Sequence, residues 1–214
     1  MTSVSWAFAV VALILAVTDW WAVAAERVAV QYVAKPAALL ALIGVAVTLD
    51  PSVDPTIRTV MVVGLVLSLA GDVFLMLDER WFVAGLGSFL LGHIAYVVAL
   101  QLAPTSAMWT LVGVTLVAVS IATVGRRIVA GVAGGDRREL VGPVVAYLVV
   151  ISAMVVSAFG TRKPWAVAGA SSFYASDATL AWNRFLELRR RGPLAVMVTY
   201  HLGQAALVGW LVTG

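Results

Sequence analysis

Apolar residues occur along this chain in long, nearly uninterrupted stretches separated by short polar or turn-rich pieces. A transmembrane helix needs about 20 consecutive, predominantly apolar residues, and eight stretches approach that length. The predicted spans are residues 4–25, 28–49, 57–77, 81–102, 108–124, 140–159, 165–185 and 193–213. The pattern therefore predicts an all-α protein, a polytopic membrane helix bundle with eight transmembrane helices that form a single domain over residues 1–214.

Composition narrows the class of protein further. Hydrophobic residues make up 62% of the 214 residues and charged residues 12%, whereas soluble domains contain about 45–50% apolar and about 25% charged residues. This excludes a soluble domain, a disordered chain and a nucleic-acid binder, so we expect membrane lipids as the surroundings. The absence of cysteine excludes disulfides, thiolate nucleophiles and cysteine-based zinc sites.

Basic residues are concentrated on one side of the predicted spans. Counting alternate connections gives ten arginines on one side against three basic residues on the other. The first set is Arg27, Arg80, Arg126, Arg127, Arg137, Arg138, Arg184, Arg189, Arg190 and Arg191, and the second is Arg58, Arg162 and Lys163. Because basic loops stay in the cytoplasm, we expect a plasma-membrane protein with both termini on the non-cytoplasmic side.

A few ionisable residues lie inside the predicted spans, where charge is costly and is by default a sign of function. They are Asp19, Lys35, Asp72 and Asp177, accompanied by His93 and His201. All six lie in the cytoplasmic half of their span or near its middle. We therefore predict one shared polar cavity that opens toward the cytoplasm, in which Asp19 could also serve as the ionic partner of Lys35.

A weak internal repeat relates the two halves of the chain. Gly71-Asp72-x-x-Leu75 matches Ser176-Asp177-x-x-Leu180 at an offset of 105 residues, and His93 matches His201 at an offset of 108. Parallel duplications of this kind occur in several transporter folds. The repeat predicts a 4+4 duplication in which Asp72 and Asp177 are pseudo-equivalent.

Five short motifs, in order along the chain, resemble the lysoplasmalogenase family of YhhN-like membrane proteins. They are Tyr32-x-x-Lys35-Pro36, Gly71-Asp72-x-x-Leu75, Phe82-x-x-Gly85-x-x-x-Phe89-x-x-x-His93-x-x-Tyr96, Ser176-Asp177-x-x-Leu180-x-x-Asn183-Arg184-Phe185 and Tyr200-x-x-x-Gln204. The resemblance implies eight spans and an enzyme that hydrolyses the vinyl ether bond of lysoplasmalogens, releasing a fatty aldehyde and a glycerophospho-headgroup. His201 stands where an aromatic residue is usual, which leaves the headgroup preference open.

The chemistry of that reaction favours a pair of carboxyl groups. A vinyl ether opens when its outer carbon is protonated, which gives an oxocarbenium ion that water then attacks. As in glycoside hydrolysis, one carboxylic acid and one carboxylate suit these steps. We predict Asp72 and Asp177 as the catalytic pair, without assigning the acid. The predicted substrate-binding residues are Tyr32, Lys35, His93, Tyr96, Asn183, Tyr200, His201, Gln204 and Asp19; no cofactor or metal is predicted.

Three other interpretations fit these residues. Two histidines and two aspartates could ligate zinc in a metal-dependent lipid hydrolase, although no two histidines stand four residues apart. Buried Asp, Lys and His residues also suit a proton-coupled transporter. Finally, the same polar groups could simply join helices in a structural protein. The partner predicted for the enzyme is a lysophospholipid substrate, and the sequence does not indicate an oligomeric state.

Overall fold

The computed structural model describes residues 1–214, and its regular backbone is helical with no strand. The long helices are α1 (Ser3–Ala24), α2 (Val28–Thr48), α3 (Pro55–Met76), α4 (Phe82–Gln101), α5 (Ala107–Gly134), α6 (Val141–Thr161), α7 (Pro164–Phe185) and α8 (Gly192–Thr213). Each begins and ends within two residues of its predicted span, except α5. The predicted all-α bundle is therefore confirmed.

The prediction was wrong about where α5 ends. The apolar stretch stops at residue 124, but the helix continues to Gly134 through a π-helical turn at Ile121–Gly125. Two arginines at 126 and 127 end the hydrophobic pattern without breaking a helix, because arginine is a good helix former. The 28 residues of α5 rise about 42 Å, more than the roughly 30 Å of a bilayer core.

Proline and capping residues set several helix starts. Asp54 accepts a hydrogen bond from the backbone N–H of Thr56 at 2.7 Å, and Pro55 occupies the first turn of α3. That backbone bond lowers the pKa of the Asp54 carboxyl, as expected for an N-cap acid. Pro164 and Pro193 occupy the first turns of α7 and α8, where a missing N–H leaves no hydrogen bond unmade.

The helices have the length and surface of an integral membrane protein. Seven of them are long and apolar enough to cross a membrane. The remaining helix, α7, is also 22 residues long but is more polar, because it carries Ser171, Ser172, Ser176 and Asp177. Large apolar side chains are exposed over the bundle surface, such as Leu111 at 65%. So much exposed apolar surface is stable only against lipid.

Consecutive helices pack as hairpins, and the hairpins enclose the site. The tightest pairs are α1 with α2, α3 with α4, α5 with α6 and α7 with α8, while α4 also contacts α6 and α8 contacts α1 and α2. Such neighbour pairing arises in any up-and-down bundle. The 4+4 duplication therefore stays a prediction.

The α7–α8 pair depends on glycines at its crossing point. A Cβ atom on Gly203 would lie 3.0 Å from the backbone nitrogen of Phe173 and 3.1 Å from the carbonyl oxygen of Gly169. Because backbone atoms cannot move aside, we expect Gly203→Ala to lower the free energy of unfolding in detergent by about 1–3 kcal/mol. Gly87→Ala is the matched control, since a Cβ there meets nothing within 4 Å. Equal stability of the two variants would contradict the close approach.

Candidate active site

A cavity of about 220 Å³ is lined by residues of every helix from α2 to α8 and contains both carboxyl groups that the sequence predicted as a pair. Its polar lining includes Lys35, Asp72, Tyr147, Asp177 and Tyr200. The cavity extends to the end of the bundle at which α3 and α7 end and α4 begins, which is the arginine-rich end. The apolar part of the lining includes Leu86, Val124, Ile128, Val144, Leu148 and Ile151.

Asp72 is fully buried and is paired with a cation. The Nζ atom of Lys35 lies 2.9 Å from its Oδ1 atom, and the hydroxyl of Tyr200 donates to its Oδ2 atom at 2.6 Å. The Lys35 ammonium also lies 5.6 Å from the centre of the Tyr200 ring. Complete burial disfavours the charged form of a carboxyl, whereas ion pairing and hydrogen bonding of the kind seen here stabilise it.

Asp177 is in a different environment. The hydroxyl of Tyr147 donates to its Oδ2 atom at 2.5 Å, and no lysine or arginine forms an ion pair with it. The Nε2 atom of His93 lies 3.7 Å from the same oxygen. The Asp177 side chain is 15% exposed, whereas that of Asp72 is fully enclosed. Of the two carboxyls, Asp177 is therefore the more accessible to a molecule in the cavity.

The imidazole of His93 faces the carboxyl group of Asp177 and affects which protonation state of that carboxyl is favoured. Its Nδ1 atom lies 2.7 Å from the carbonyl oxygen of Phe89, and a carbonyl oxygen can only accept, so Nδ1 carries hydrogen. A neutral ring then presents the lone pair of Nε2 toward Asp177, and Nε2 has no other partner. A lone pair facing a carboxylate is unfavourable, so this arrangement favours a protonated Asp177.

A second hydrogen-bonded group lies behind the cavity. The hydroxyl of Tyr96 donates to the Oε1 atom of Gln204 at 2.8 Å and lies 3.3 Å from Oγ of Ser68. Tyr96 and Gln204 are fully buried, and neither lines the cavity. Their predicted roles in substrate binding stay predictions, and the structure places them as neighbours of the lining residues.

Asp19 and His201 lie on another side of the bundle core. Lys35 forms its ion pair with Asp72, so the expectation that Asp19 is its partner was wrong. Asp19 is fully buried, and its carboxyl makes no hydrogen bond. The His201 Nδ1 atom, 4.0 Å from Asp19 Oδ2, accepts a hydrogen bond from Trp20 at 3.0 Å. His201 and Gln204 line a separate apolar groove between α1, α2 and α8.

Two further predicted binding residues lie outside the cavity. Tyr32 is 52% exposed on the surface of α2, and Asn183, near the end of α7, accepts a hydrogen bond from the backbone N–H of Arg189 at 3.3 Å. Among the predicted residues the cavity thus unites Lys35, Asp72, Asp177 and Tyr200, with His93 beside it.

Sequence reasoning missed two residues that line the cavity. Tyr147 stands alone in a strongly apolar span, with no polar neighbour at helical spacing, so only its polar tip at mid-span signalled a role. Arg184 was counted in the orientation signal and in the fourth family motif but was not predicted as a site residue, although its side chain lines the end of the cavity. Both assignments depend on helix rotation, which the one-dimensional pattern does not give.

The cavity offers few donors to a metal ion. His93 and Asp177 are adjacent, but no group of three or more His, Asp or Glu side chains converges closely enough to hold a metal. Zinc sites in hydrolases use three protein ligands. The cavity instead brings together carboxyl, imidazole and phenol groups, all of which can donate or accept a proton.

Fold and site together define a polytopic integral membrane protein with two carboxyl groups in one cavity. Comparison with known proteins gives the family: the sequence model of the YhhN family matches residues 30–211. This chain belongs to the YhhN family. The match begins after α1, so Asp19 lies outside it.

Two relatives are similar over part of their length. Proteins named lysoplasmalogenase from Mycobacterium bovis and Mycobacterium tuberculosis are each 36% identical to this chain over 139 residues. The alignments cover 60% of this chain and 51% of each relative, so the chain spans about half the length of the curated relatives it matches. No solved structure matches the chain.

Proposed function

We propose that this protein is a membrane-embedded hydrolase that cleaves the vinyl ether bond of a lysoplasmalogen into a fatty aldehyde and a glycerophospho-headgroup. The observation that carries the proposal is the unequal pair of carboxyls in one cavity: Asp72 paired with Lys35, and Asp177 without a cation. Two carboxyls in unequal environments can hold different protonation states, one as a carboxylic acid and one as a carboxylate. The relatives named lysoplasmalogenase supply the substrate class.

In this proposal Asp177 is the general acid. Its carboxylic acid transfers a proton to the outer carbon of the double bond, and the carbon attached to the ether oxygen becomes part of an oxocarbenium ion. The Asp177 carboxylate then accepts a proton from the water that attacks this carbon. The hemiacetal formed collapses to aldehyde and glycerol hydroxyl, with its proton moving from the new hydroxyl to the leaving oxygen. Asp177 ends in the form in which it began.

Asp72 stabilises the positive charge that develops during the reaction. Its carboxylate is held by Lys35 and Tyr200 before the substrate reacts, so little reorganisation is needed when the oxocarbenium ion forms. Fixed charges in an enclosed site stabilise such ions better than mobile water does. The apolar lining of the cavity accommodates the hydrocarbon next to the vinyl ether.

We also propose that the protein lies in the plasma membrane with the arginine-rich end of the bundle facing the cytoplasm, which would place the open end of the cavity there. The support is the distribution of arginine among the connections and the tendency of basic loops to remain inside. Labelling of single introduced cysteines from either side tests the orientation without background, because the chain has no cysteine. Position 52 lies in the connection between α2 and α3, which the proposal places outside. If a cysteine there reacts only from the cytoplasmic side, the orientation is the reverse of the proposed one.

Tyr147 is a positioning residue for Asp177 in this scheme. We expect Tyr147→Phe to lower kcat about tenfold, the effect of losing one strong hydrogen bond, while KM for the lipid stays nearly constant. In the Asp177→Asn background the same change should have no further effect, because the bond then has no acid to orient. Steady-state kinetics of the two single variants and the double variant check this. A change confined to KM would contradict a positioning role.

Turnover in detergent separates this function from transport. We expect purified protein in micelles to release aldehyde from an alkenyl lysophospholipid and nothing from the matching saturated alkyl ether, which cannot form an oxocarbenium ion by protonation. Transport requires a sealed compartment, whereas hydrolysis does not. Absence of product in micelles together with proton-driven solute uptake into proteoliposomes would overturn the enzyme proposal in favour of a carrier.

A further inference from the structure

Three charged side chains meet at the open end of the cavity. The carboxylate of Glu79 accepts hydrogen bonds from the guanidinium groups of both Arg137 and Arg184. These residues come from three separate parts of the chain: the short 3₁₀ turn before α4, the connection between α5 and α6, and the last turns of α7. All three side chains are between 36% and 54% exposed, so they are accessible from solvent.

Arg184 connects this cluster with the catalytic carboxyl. It lines the cavity and follows Asp177 by seven residues, about 10 Å along the same helix. Its guanidinium lies 4.6 Å from the centre of the Phe82 ring, which also lines the cavity. Stacking on Phe82 orients the Arg184 side chain at the end of the cavity. Glu79 is its only ionic partner.

The arginines of the cluster are only partly satisfied. Arg137 also lies 3.8 Å from Glu139 through its Nε atom, so the formal charges balance when that longer contact is counted. Each guanidinium nevertheless makes one hydrogen bond, to the same oxygen of Glu79, which leaves most of its five N–H donors without a carboxylate partner. Guanidinium groups bind phosphate in a planar, two-point geometry. A partly satisfied pair of arginines at the mouth of a cavity is therefore suited to an anion with several acceptor oxygens.

We propose that Arg137 and Arg184 bind the phosphate of a lysophospholipid, and that Glu79 holds both arginines in place when no lipid is bound. The lipid identity rests on the proposed function. In such a lipid the glycerol unit joins the ether oxygen to the phosphate. A molecule whose vinyl ether reaches Asp177 can therefore extend its phosphate along α7 toward Arg184. The cluster would then select lysophospholipids over neutral alkylglycerols.

Binding of non-cleavable lipids tests the proposal independently of catalysis. The probes are a saturated 1-alkyl ether lysophosphoethanolamine, the 1-alkylglycerol of the same chain length, and tail-less glycerophosphoethanolamine, each titrated into detergent-solubilised protein. The double substitution Arg137→Gln with Arg184→Gln should weaken binding of the lysophospholipid at least about tenfold, the usual effect of lost charge-assisted hydrogen bonds. Binding of the alkylglycerol should not change, which also reports that the variant is folded.

The variant Glu79→Gln distinguishes an anion-binding site from an ion-pair cluster that only joins segments of the chain. Removing the competing carboxylate should tighten binding of the lysophospholipid, an effect opposite in sign to that of the arginine variants. If the cluster only joined the three segments of the chain, Glu79→Gln and the arginine variants should all weaken binding. Arg80→Gln is the matched control, because Arg80 lies in the same turn with its side chain 75% exposed and pairs with Asp78; it should leave binding unchanged.

Three outcomes would overturn the proposal. They are weaker binding in Glu79→Gln, equal losses for the alkylglycerol and the lysophospholipid in the arginine variants, and tail-less glycerophosphoethanolamine binding as tightly as the lipid. The last would assign the arginines to a soluble phosphate ester. Failure of the proposed reaction is a separate result: it appears as no aldehyde from an alkenyl lipid while the phosphate-dependent binding persists.

Discussion

Replacing Asp177 with asparagine is expected to lower kcat for an alkenyl lysophospholipid by about 10²–10⁴-fold, the usual contribution of a general acid. Asparagine has nearly the same shape and can still accept the hydrogen bond from Tyr147, so the fold should persist. It has no carboxylic proton to give to the vinyl carbon. The measurement is aldehyde release by purified protein at saturating lipid.

The matched control for this substitution is Asp50→Asn. Asp50 is exposed in the connection between α2 and α3 and should tolerate the change with full activity. Asp177→Asn with wild-type kcat would assign proton transfer to another group. Loss of activity in Asp50→Asn as well would indicate a general effect of removing negative charge.

Replacing Lys35 with methionine is expected to have the largest effect on stability. The change leaves the fully buried carboxylate of Asp72 without its cation, and breaking a buried ion pair from one side lowers the free energy of unfolding by about 3–5 kcal/mol. Methionine retains much of the volume of the lysine stem, so loss of packing contributes little. Denaturant or thermal unfolding in detergent measures the loss.

The double substitution Lys35→Met with Asp72→Asn tests the cause of that loss. If the uncompensated charge is responsible, neutralising Asp72 should restore a large part of the stability lost in Lys35→Met, giving strongly non-additive effects. Activity should stay low in the double variant, since Asp72 is absent. Additive losses of stability would mean that Lys35 and Asp72 act separately and that the ion pair contributes little.

The positions of the spans could be predicted because helix length and apolarity follow from the thickness of the bilayer. The end of α5 could not, since Arg126 and Arg127 mark where the chain leaves hydrocarbon and not where helical hydrogen bonding stops. Hydrophobicity indicates whether a segment lies in lipid, whereas the glycines at 134 and 135 mark where the helix ends. The difference matters for the site, because the π turn of α5 places Val124 and Gly125 on the cavity wall.

The shared location of Asp72 and Asp177 could also be predicted, because charged side chains at similar depth in a helix bundle are less costly when they share one polar cavity. The partners within that space could not. Lys35 lies at a depth that suits either Asp19 or Asp72, and the rotation of α2 against α3 decides in favour of Asp72. The same dependence on rotation explains why Tyr147 was missed.

Hydrolysis in water of isotopically heavy oxygen tests the central proposal most directly. If Asp177 protonates the vinyl ether and water attacks the oxocarbenium carbon, the bond between the glycerol carbon and its ether oxygen stays intact. The oxygen of the released glycerol hydroxyl then comes from the lipid and not from water. Mass spectrometry should then find no heavy oxygen in the glycerophospho-headgroup. The headgroup is the diagnostic product, because an aldehyde also exchanges its oxygen with water. Heavy oxygen in the headgroup hydroxyl, or no cleavage of the alkenyl lipid, would contradict the account.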